Sequence, residues 1–240
     1  MKIALMHKEG RMKYVYEMIE REHDVELFDS ACFDYDVIVM GMSYFDGHSF
    51  DEEYLVMVKQ SVIFVCYDAI EPMKEKFKIV CLKESEDFLV KNAKITALGI
   101  MHILLESLDM NIKDDVVDVI GFGRCGCAIV ELFKALGIRY RIVVKEVKEY
   151  EHEVIHYEEY LFKKPSKWII QTAENCIFDK YWIQRGGGNS TIIDITRSFI
   201  GTSNLQNENI NIYYAKGLPD RFFVHSGAKV YYEALKEAIL

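Results

Sequence analysis

The chain has 240 residues, half of them hydrophobic and 28% charged, which suits one large or two small globular domains and excludes a disordered or low-complexity chain. A formal net charge of -9 excludes a general nucleic-acid binder, because such a protein needs a basic face. The six cysteines show no C-x-x-C spacing, so they read as reduced thiols and not as a disulfide framework or a metal knuckle.

Residues 2–6 predict a first strand, 12–21 an amphipathic helix and 25–28 a second strand. Two further strands follow at 36–41 and 61–66, with a helix at 51–59 between them, and a fifth strand at 77–81. Strands alternating with helices imply a parallel sheet with right-handed crossovers, so this half is a small doubly wound unit. Its first turn, residues 7–11, has a single glycine and is no dinucleotide fingerprint. A ligand there would be a substrate and not a pyrophosphate; the alternative is a plain connecting loop. Residues 84–91 and 92–108 read as two helical stretches, the longer one a connector between two strand sets. Residues 154–162 fit strand and helix equally. Strands are expected again at 139–145, 167–172, 191–196 and 210–215, with a closing helix at 226–239. Gly186-Gly187-Gly188 is a flexible turn before a strand, because no helix follows it.

The second strand set opens on the most informative stretch. Val116-Val117-Asp118-Val119-Ile120 reads as a buried strand, and residues 127–136 as a helix closed by Gly137. Between them stands Gly121-Phe122-Gly123-Arg124-Cys125-Gly126, a G-x-G-x-x-G at a strand-to-helix junction. Gly121 permits the tight turn, Gly123 lets a pyrophosphate approach the backbone, and Gly126 lets the helix pack close to the strand. The helix N-terminus then offers free N–H groups to phosphates. The fold class that follows is α/β: two Rossmann-like, doubly wound parallel-sheet domains joined by a long connector helix. The expected division is an N-terminal substrate-side domain over 1–91 and a nucleotide-binding domain over 92–225, with helix 226–240 packing back on the first. No apolar run approaches the ~20 residues of a membrane span. The chain opens directly on a strand without a signal-peptide pattern, so a cytoplasmic location is expected.

Further positions carry candidate chemistry. The acid that binds an adenosine ribose stands at the end of the second strand of such a domain, about 20 residues past the motif. Lys145 stands there, with Glu146 after it. A lysine can meet a 2′-phosphate as a point charge, which favours NADP over NAD. Arg124 at the helix start is either a phosphate ligand or a surface arginine. Cys125 contributes its backbone N–H, or a thiol activated by the helix N-terminus. Thr172, Asp194 and Gly217-Leu218-Pro219 fall at the C-terminal ends of successive strands, where ligands bind in open α/β sheets. His225 is the candidate general acid–base, against a structural histidine. Arg197, and similarly Arg11, could hold a carboxylate substrate by a bidentate contact. His152 and His156 lack a third ligand in reach, so no metal site is expected there.

The chain resembles the dipicolinate synthase A family, spore-associated bacterial dehydrogenases related in architecture to the 2-hydroxyacid dehydrogenases. The residues that carry the resemblance are Lys2-Ile3-Ala4 with Arg11, Asn92-Ala93-Lys94-Ile95-Thr96-Ala97-Leu98-Gly99, the Gly121 loop, Ala135-Leu136-Gly137, Asp194 and Gly217-Leu218-Pro219. The resemblance implies a nicotinamide cofactor, NADP or NAD, on the second domain and a small carboxylated substrate in a cleft between the two. It also implies oxidation of a dihydrodipicolinate-type ring alongside a second, flavin-dependent subunit, and a role in sporulation. A homo-oligomer is expected; no nucleic-acid or membrane partner is.

Four departures touch the substrate side. Leu98 stands where the family carries an acid, and Ile95 where it carries a proline. His225-Ser226-Gly227-Ala228 replaces a lysine-containing helix start, and Gln171-Thr172-Ala173-Glu174 replaces an Asn-Thr-x-Pro type of strand end. The two functions to weigh are therefore an NAD(P)-dependent oxidoreductase and a catalytically inactive dinucleotide-binding or subunit-interaction protein of the same fold.

Overall fold

The structure, a computed structural model, describes residues 1–6, 10–29, 34–42, 57–68, 71–107, 110–111, 113–146, 151–174, 178, 182, 189–196 and 211–239. It divides into two compact units, Met1–Asn92 with Pro219–Leu240 and Ala93–Leu218.

The first unit is built on five strands: β1 (Lys2–Leu5), β2 (Asp24–Leu27), β3 (Val37–Val39), β4 (Ile63–Cys66) and β5 (Lys78–Cys81). Their order is β2-β1-β3-β4-β5, every neighbouring pair parallel. The central strands are short apolar runs because both faces of a parallel sheet are covered. On one face, Ile3, Leu5, Val37 and Val39 meet Met12, Val15 and Ile19 of helix α1 (Arg11–Ile19). The same cluster takes in Ala228, Tyr231 and Leu235 from the final helix, Val224–Ile239. On the other, Ala4, Ile38, Phe64 and Cys66 pack with Met73 of α2 (Glu71–Lys76) and with Phe77. The fully buried Tyr231 donates its hydroxyl to the Met40 carbonyl, so the final helix is pinned by a polar bond inside an apolar face. No signal in the sequence pattern announces α2. The predicted helix over 51–59 lies mostly outside the described residues.

The two helical stretches expected at 84–91 and 92–108 are one helix, α3 (Glu86–His102), followed by a five-residue π-helical turn, Ile103–Ser107. Ser85 caps it, its Oγ accepting the Phe88 N–H at 3.3 Å. No glycine or proline stands near residue 92 to interrupt it. By length and composition Glu86–Glu106 is long and apolar enough to cross a bilayer, which corrects the expectation of no such run. More than half of that stretch is buried inside the protein, as for a core helix.

The second unit holds β6 (Val116–Ile120), β7 (Arg139–Val144), β8 (Val154–His156), β9 (Trp168–Gln171), β10 (Thr191–Asp194) and β11 (Asn211–Tyr214). All neighbours are parallel, in the order β11-β10-β9-β6-β7-β8. Counted from β6, this is the 3-2-1-4-5-6 order of the Rossmann fold, with its topological switch point between β6 and β9. The ambiguous stretch 154–162 is both: β8, then a single helical turn, α4 (Tyr157–Tyr160). Tyr160, Phe178 and Trp182 cover one face over Ile120, Val143, Ile169 and Ile192. Helix α5 (Arg124–Leu136) buries Ala128, Ile129, Val130 and Phe133. It ends at Gly137, in the left-handed region at φ 69°, with the Ile138 N–H on the Phe133 carbonyl at 2.9 Å. A short helix α6 (Leu218–Phe222) and the final helix α7 (Val224–Ile239) complete the chain.

Candidate functional site

The β6–α5 turn shows why its three glycines differ. Gly121 has φ +97°, and a Cβ on it would stand 2.7 Å from Thr172 Oγ1 and 3.0 Å from the Ala173 nitrogen. Gly126 could carry a Cβ only 2.3 Å from the Gly121 carbonyl oxygen, so it sets how closely α5 approaches the strand. The fold itself demands these two. Gly123 has an ordinary φ of -82° and a Cβ there would meet nothing within 4 Å. Gly123 is also the N-cap of α5 and provides no side-chain cap, so the helix turns its first backbone N–H groups outward.

A concavity of about 340 Å³ opens at this point, walled by the Gly121-Phe122-Gly123 turn, by Val144, Lys145 and Glu146 at the end of β7, and by Thr172 and Ala173 at the end of β9. It therefore sits at the switch point, outside the carboxyl ends of the strands, where an open α/β sheet binds ligands. The concavity is open, and the residues present fit a dinucleotide: a glycine turn without side chains, a helix N-terminus, and Lys145 and Glu146 where a ribose would be met. Thr172 Oγ1 donates to the Ile120 carbonyl at 2.9 Å and lies 3.2 Å from the Gly121 carbonyl oxygen, which fixes the turn. The Phe122 ring packs edge-on to His152, centroids 5.6 Å apart. Arg124 is exposed on the first turn of α5. The Cys125 thiol is pushed up from its ordinary pKa by burial, with Arg124 only partly opposing it. Burial thus outweighs the helix terminus, which speaks against the alternative of an activated thiol.

The other candidates are distributed as follows. Asp194 is fully buried at the end of β10 and accepts from the Thr196 N–H and hydroxyl, both at 2.8 Å. Gly217 is left-handed at φ 67°, and the buried Leu218 lies against α3, where a Cβ on Gly99 would fall 2.6 Å from Leu218 Cβ. Two segments that carry the family resemblance therefore touch each other. Pro219 packs near Gly227 of α7. His225, on the first turn of α7, is exposed, its ring edge-on to Tyr14 at 5.4 Å. Leu98 is 42% exposed and Ile95 is buried. Arg197 lies outside the described residues. Arg11 is only 4% exposed and already holds a carboxylate of the protein itself, with Nε on Asp220 Oδ1 at 2.6 Å and Nη2 on Oδ2 at 2.9 Å. Its Nη1 reaches Asn92 Oδ1 at 3.2 Å. Among the described residues no group of three or more His, Cys, Asp or Glu is placed to hold a metal ion.

One polar centre has almost no signature in the sequence. Asp118, fully buried in β6, accepts from Arg141 Nε and Nη2 at 2.6 and 2.8 Å and from the Tyr160 hydroxyl at 2.8 Å. It also accepts from the Ser166 N–H and hydroxyl at 2.8 and 2.9 Å. The Arg141 guanidinium is held above its ordinary pKa by its bonds to Asp118, and burial beside that carboxylate pushes the Tyr160 phenol up. The one signal that could have found it is an acid inside an apolar β-branched run.

Two parallel sheets, one in Rossmann order with a glycine turn at its switch point, define a protein of the two-unit, Rossmann-like α/β class. Within that class the chain has the fold of dipicolinate synthase A. It superposes on that protein from Bacillus halodurans with a TM-score of 0.82, covering 98% of this chain and 96% of that one at 14% identity. The dipicolinate synthase A structure from Bacillus subtilis gives 0.77, with 99% and 95% covered at 19% identity. An NADPH-dependent glyoxylate/hydroxypyruvate reductase from Sinorhizobium meliloti, solved with citrate, gives 0.58 over 95% and 90% at 13% identity. No family model and no curated protein matches the chain in sequence.

Proposed function

We propose that the chain is an NAD(P)-dependent oxidoreductase of the dipicolinate synthase A type, passing a hydride to or from a small carboxylated substrate. The observation that carries this reading is Gly123. Its neighbours Gly121 and Gly126 are required by packing, whereas the open space over Gly123 is room that the fold does not need and a pyrophosphate does. When bound, the nicotinamide supplies the hydride chemistry. The protein's part is positioning and proton management. The first N–H groups of α5 receive the pyrophosphate, with Arg124 beside them, and Thr172 keeps the turn in shape. Lys145 meets the ribose side and favours NADP. Asp194 and the Gly217-Leu218-Pro219 turn support the nicotinamide side. Arg197 holds the substrate carboxylate, and His225 carries at its imidazole nitrogen the proton that accompanies hydride transfer. The two Bacillus neighbours are by name one component of a synthase, which supports a second polypeptide of the same synthase as partner.

Calorimetric titration with NAD, NADP and their reduced forms tests the reading; absence of binding at millimolar cofactor refutes it. A second reading is favoured by Leu98, an apolar residue, 42% exposed, where the family carries an acid. On that reading the chain binds the dinucleotide without turnover. His225→Gln separates the two. In an enzyme it should lower hydride transfer by about 10²–10⁴-fold while cofactor affinity holds. Turnover unchanged in the variant removes His225 from the proposal, and a wild type that binds cofactor but turns over no pyridine carboxylate substrate favours the second reading.

A further inference from the structure

Strands β7 and β8 run parallel with only residues 145–153 between them. Parallel neighbours usually need a crossover of about a dozen residues or more, most often a helix. On the α5 side of β7 a row of rings stands instead. Phe133 of α5 packs against Tyr140 of β7, with ring centroids 6.5 Å apart. Tyr140 meets His152 edge-on at 6.3 Å, and His152 meets Phe122 edge-on at 5.6 Å. The row starts in the core, at the fully buried Phe133, and ends on the glycine turn. Tyr140, His152 and Phe122 are half-buried.

Phe122 stands between Gly121 and Gly123, so its ring is the one side chain by which this part of the turn can be held. The backbone on either side has its own ties. Thr172 Oγ1 lies 3.2 Å from the Gly121 carbonyl oxygen, and Cys127 Sγ donates to the Phe122 carbonyl at 3.5 Å. Glycine loses more conformational freedom on ordering than any other residue. A turn with two of them binds a ligand weakly unless something fixes it beforehand, because the ordering cost is then met on binding.

From this we infer that His152 is a positioning residue for the phosphate turn. It holds the Phe122 ring beside Tyr140 and so keeps the Gly121–Gly123 backbone in the shape that receives a pyrophosphate. The inference rests on the dinucleotide reading for its ligand; the contact between His152 and Phe122 does not. His152 is not itself a phosphate ligand. It does not line the concavity at the turn, and it stands between the exposed Glu151 and Glu153, whose charges repel an anion. The pyrophosphate is common to NAD and NADP, so His152 serves both alike, whereas Lys145 is the residue that tells them apart.

Calorimetric titration of NAD and NADP into the wild type, His152→Ala and His152→Phe tests this, together with amide hydrogen exchange of the same proteins without ligand. His152→Ala removes two edge-on ring contacts, each worth a factor of about 2–10. The competent fraction of the turn should fall, and both dinucleotides should weaken by the same factor, about five- to tenfold. His152→Phe keeps a ring in place and should keep wild-type affinity. Without ligand, residues 121–124 should exchange faster in His152→Ala, while the interiors of β6 and α5 exchange as in the wild type; a general loss of structure would speed all three. Equal losses, rescue by phenylalanine and faster exchange confined to the turn support the inference. A larger loss for NADP than for NAD makes His152 a contact to the 2′-phosphate and overturns the positioning role. Wild-type affinity in His152→Ala overturns it whether or not the turn exchanges faster. A wild type that binds neither dinucleotide refutes the dinucleotide reading alone, and exchange over 121–124 still decides whether His152 holds the turn.

Discussion

The three glycines of the β6–α5 turn should respond to substitution in opposite ways. Gly126→Ala puts a Cβ 2.3 Å from the Gly121 carbonyl oxygen, where ordinary contact begins near 3.4 Å. The helix must retreat from the strand by about 1 Å, a form of overpacking that costs about 1–3 kcal/mol. In a chain of this length each kcal/mol lowers the melting temperature by about 2–4 °C, so a fall of several degrees is expected by differential scanning calorimetry. Gly123→Val meets no protein atom within 4 Å and keeps an allowed φ. Its only structural cost is a poorer N-cap, about 0.5–1 kcal/mol. Its functional cost is large, because a branched side chain fills the space a pyrophosphate needs; binding of the dinucleotide should fall at least about 100-fold, some 2.8 kcal/mol. The two variants therefore cross over: one loses stability, the other affinity. Wild-type affinity in Gly123→Val would refute the phosphate-loop reading, and an unchanged melting temperature in Gly126→Ala would refute the packing argument.

Other perturbations report on single contacts. Lys145→Ala should weaken NADP(H) about tenfold more than NAD(H) if the lysine meets a 2′-phosphate; equal losses in calorimetry remove it as the discriminator. Asp118→Ala leaves the Arg141 guanidinium and the Tyr160 hydroxyl facing a hole, and urea titration should show a loss of about 3 kcal/mol or more; a loss under about 1 kcal/mol would mean the centre carries little of the fold. Burial pushes the Cys66 thiol up to about 12. The folded chain therefore keeps the proton that the unfolded chain releases above about 8.5, so this contribution is complete at neutral pH and declines as pH rises from there toward 12. Between pH 7 and 10 the wild type should lose about 1–2 kcal/mol more than Cys66→Ala in denaturant titrations; parallel losses would show that the thiol is already solvated.

The features legible in the sequence are the local ones. The strand, the glycine turn and the helix closed by Gly137 each follow from neighbours in sequence, since turn geometry and amphipathic period are short-range matters. The same locality explains the errors. Polar residues near position 92 suggest a seam between two helices, although nothing there breaks the i to i+4 ladder. The stretch 154–162 resists assignment because three strand residues and one helical turn are each too short to show a period. The two readings of Cys125, backbone N–H donor or activated thiol, also stay open in the sequence, because the buried surroundings that raise its pKa come from the fold.

The less legible half of the molecule is held by pairs that lie far apart in sequence. Asp118 is joined to Arg141, Tyr160 and Ser166, and Arg11 to Asp220 and Asn92. Gly99 is shaped to Leu218 across more than a hundred positions. In the sequence Arg11 reads as a substrate ligand, Leu218 as part of a cofactor turn and Asp118 as one residue of a buried strand. The structure adds the partners that none of these readings contains. A guanidinium already bidentate on Asp220 is a clamp at the start of α1. By the same logic the buried carboxylate of Asp118 is taken up by its five donors, which anchor the loop that carries Phe162 and Lys164. The two ends of one sheet are thus specialised differently, one by the absence of side chains at Gly121 and Gly123, the other by a buried charge that holds an exposed loop in place.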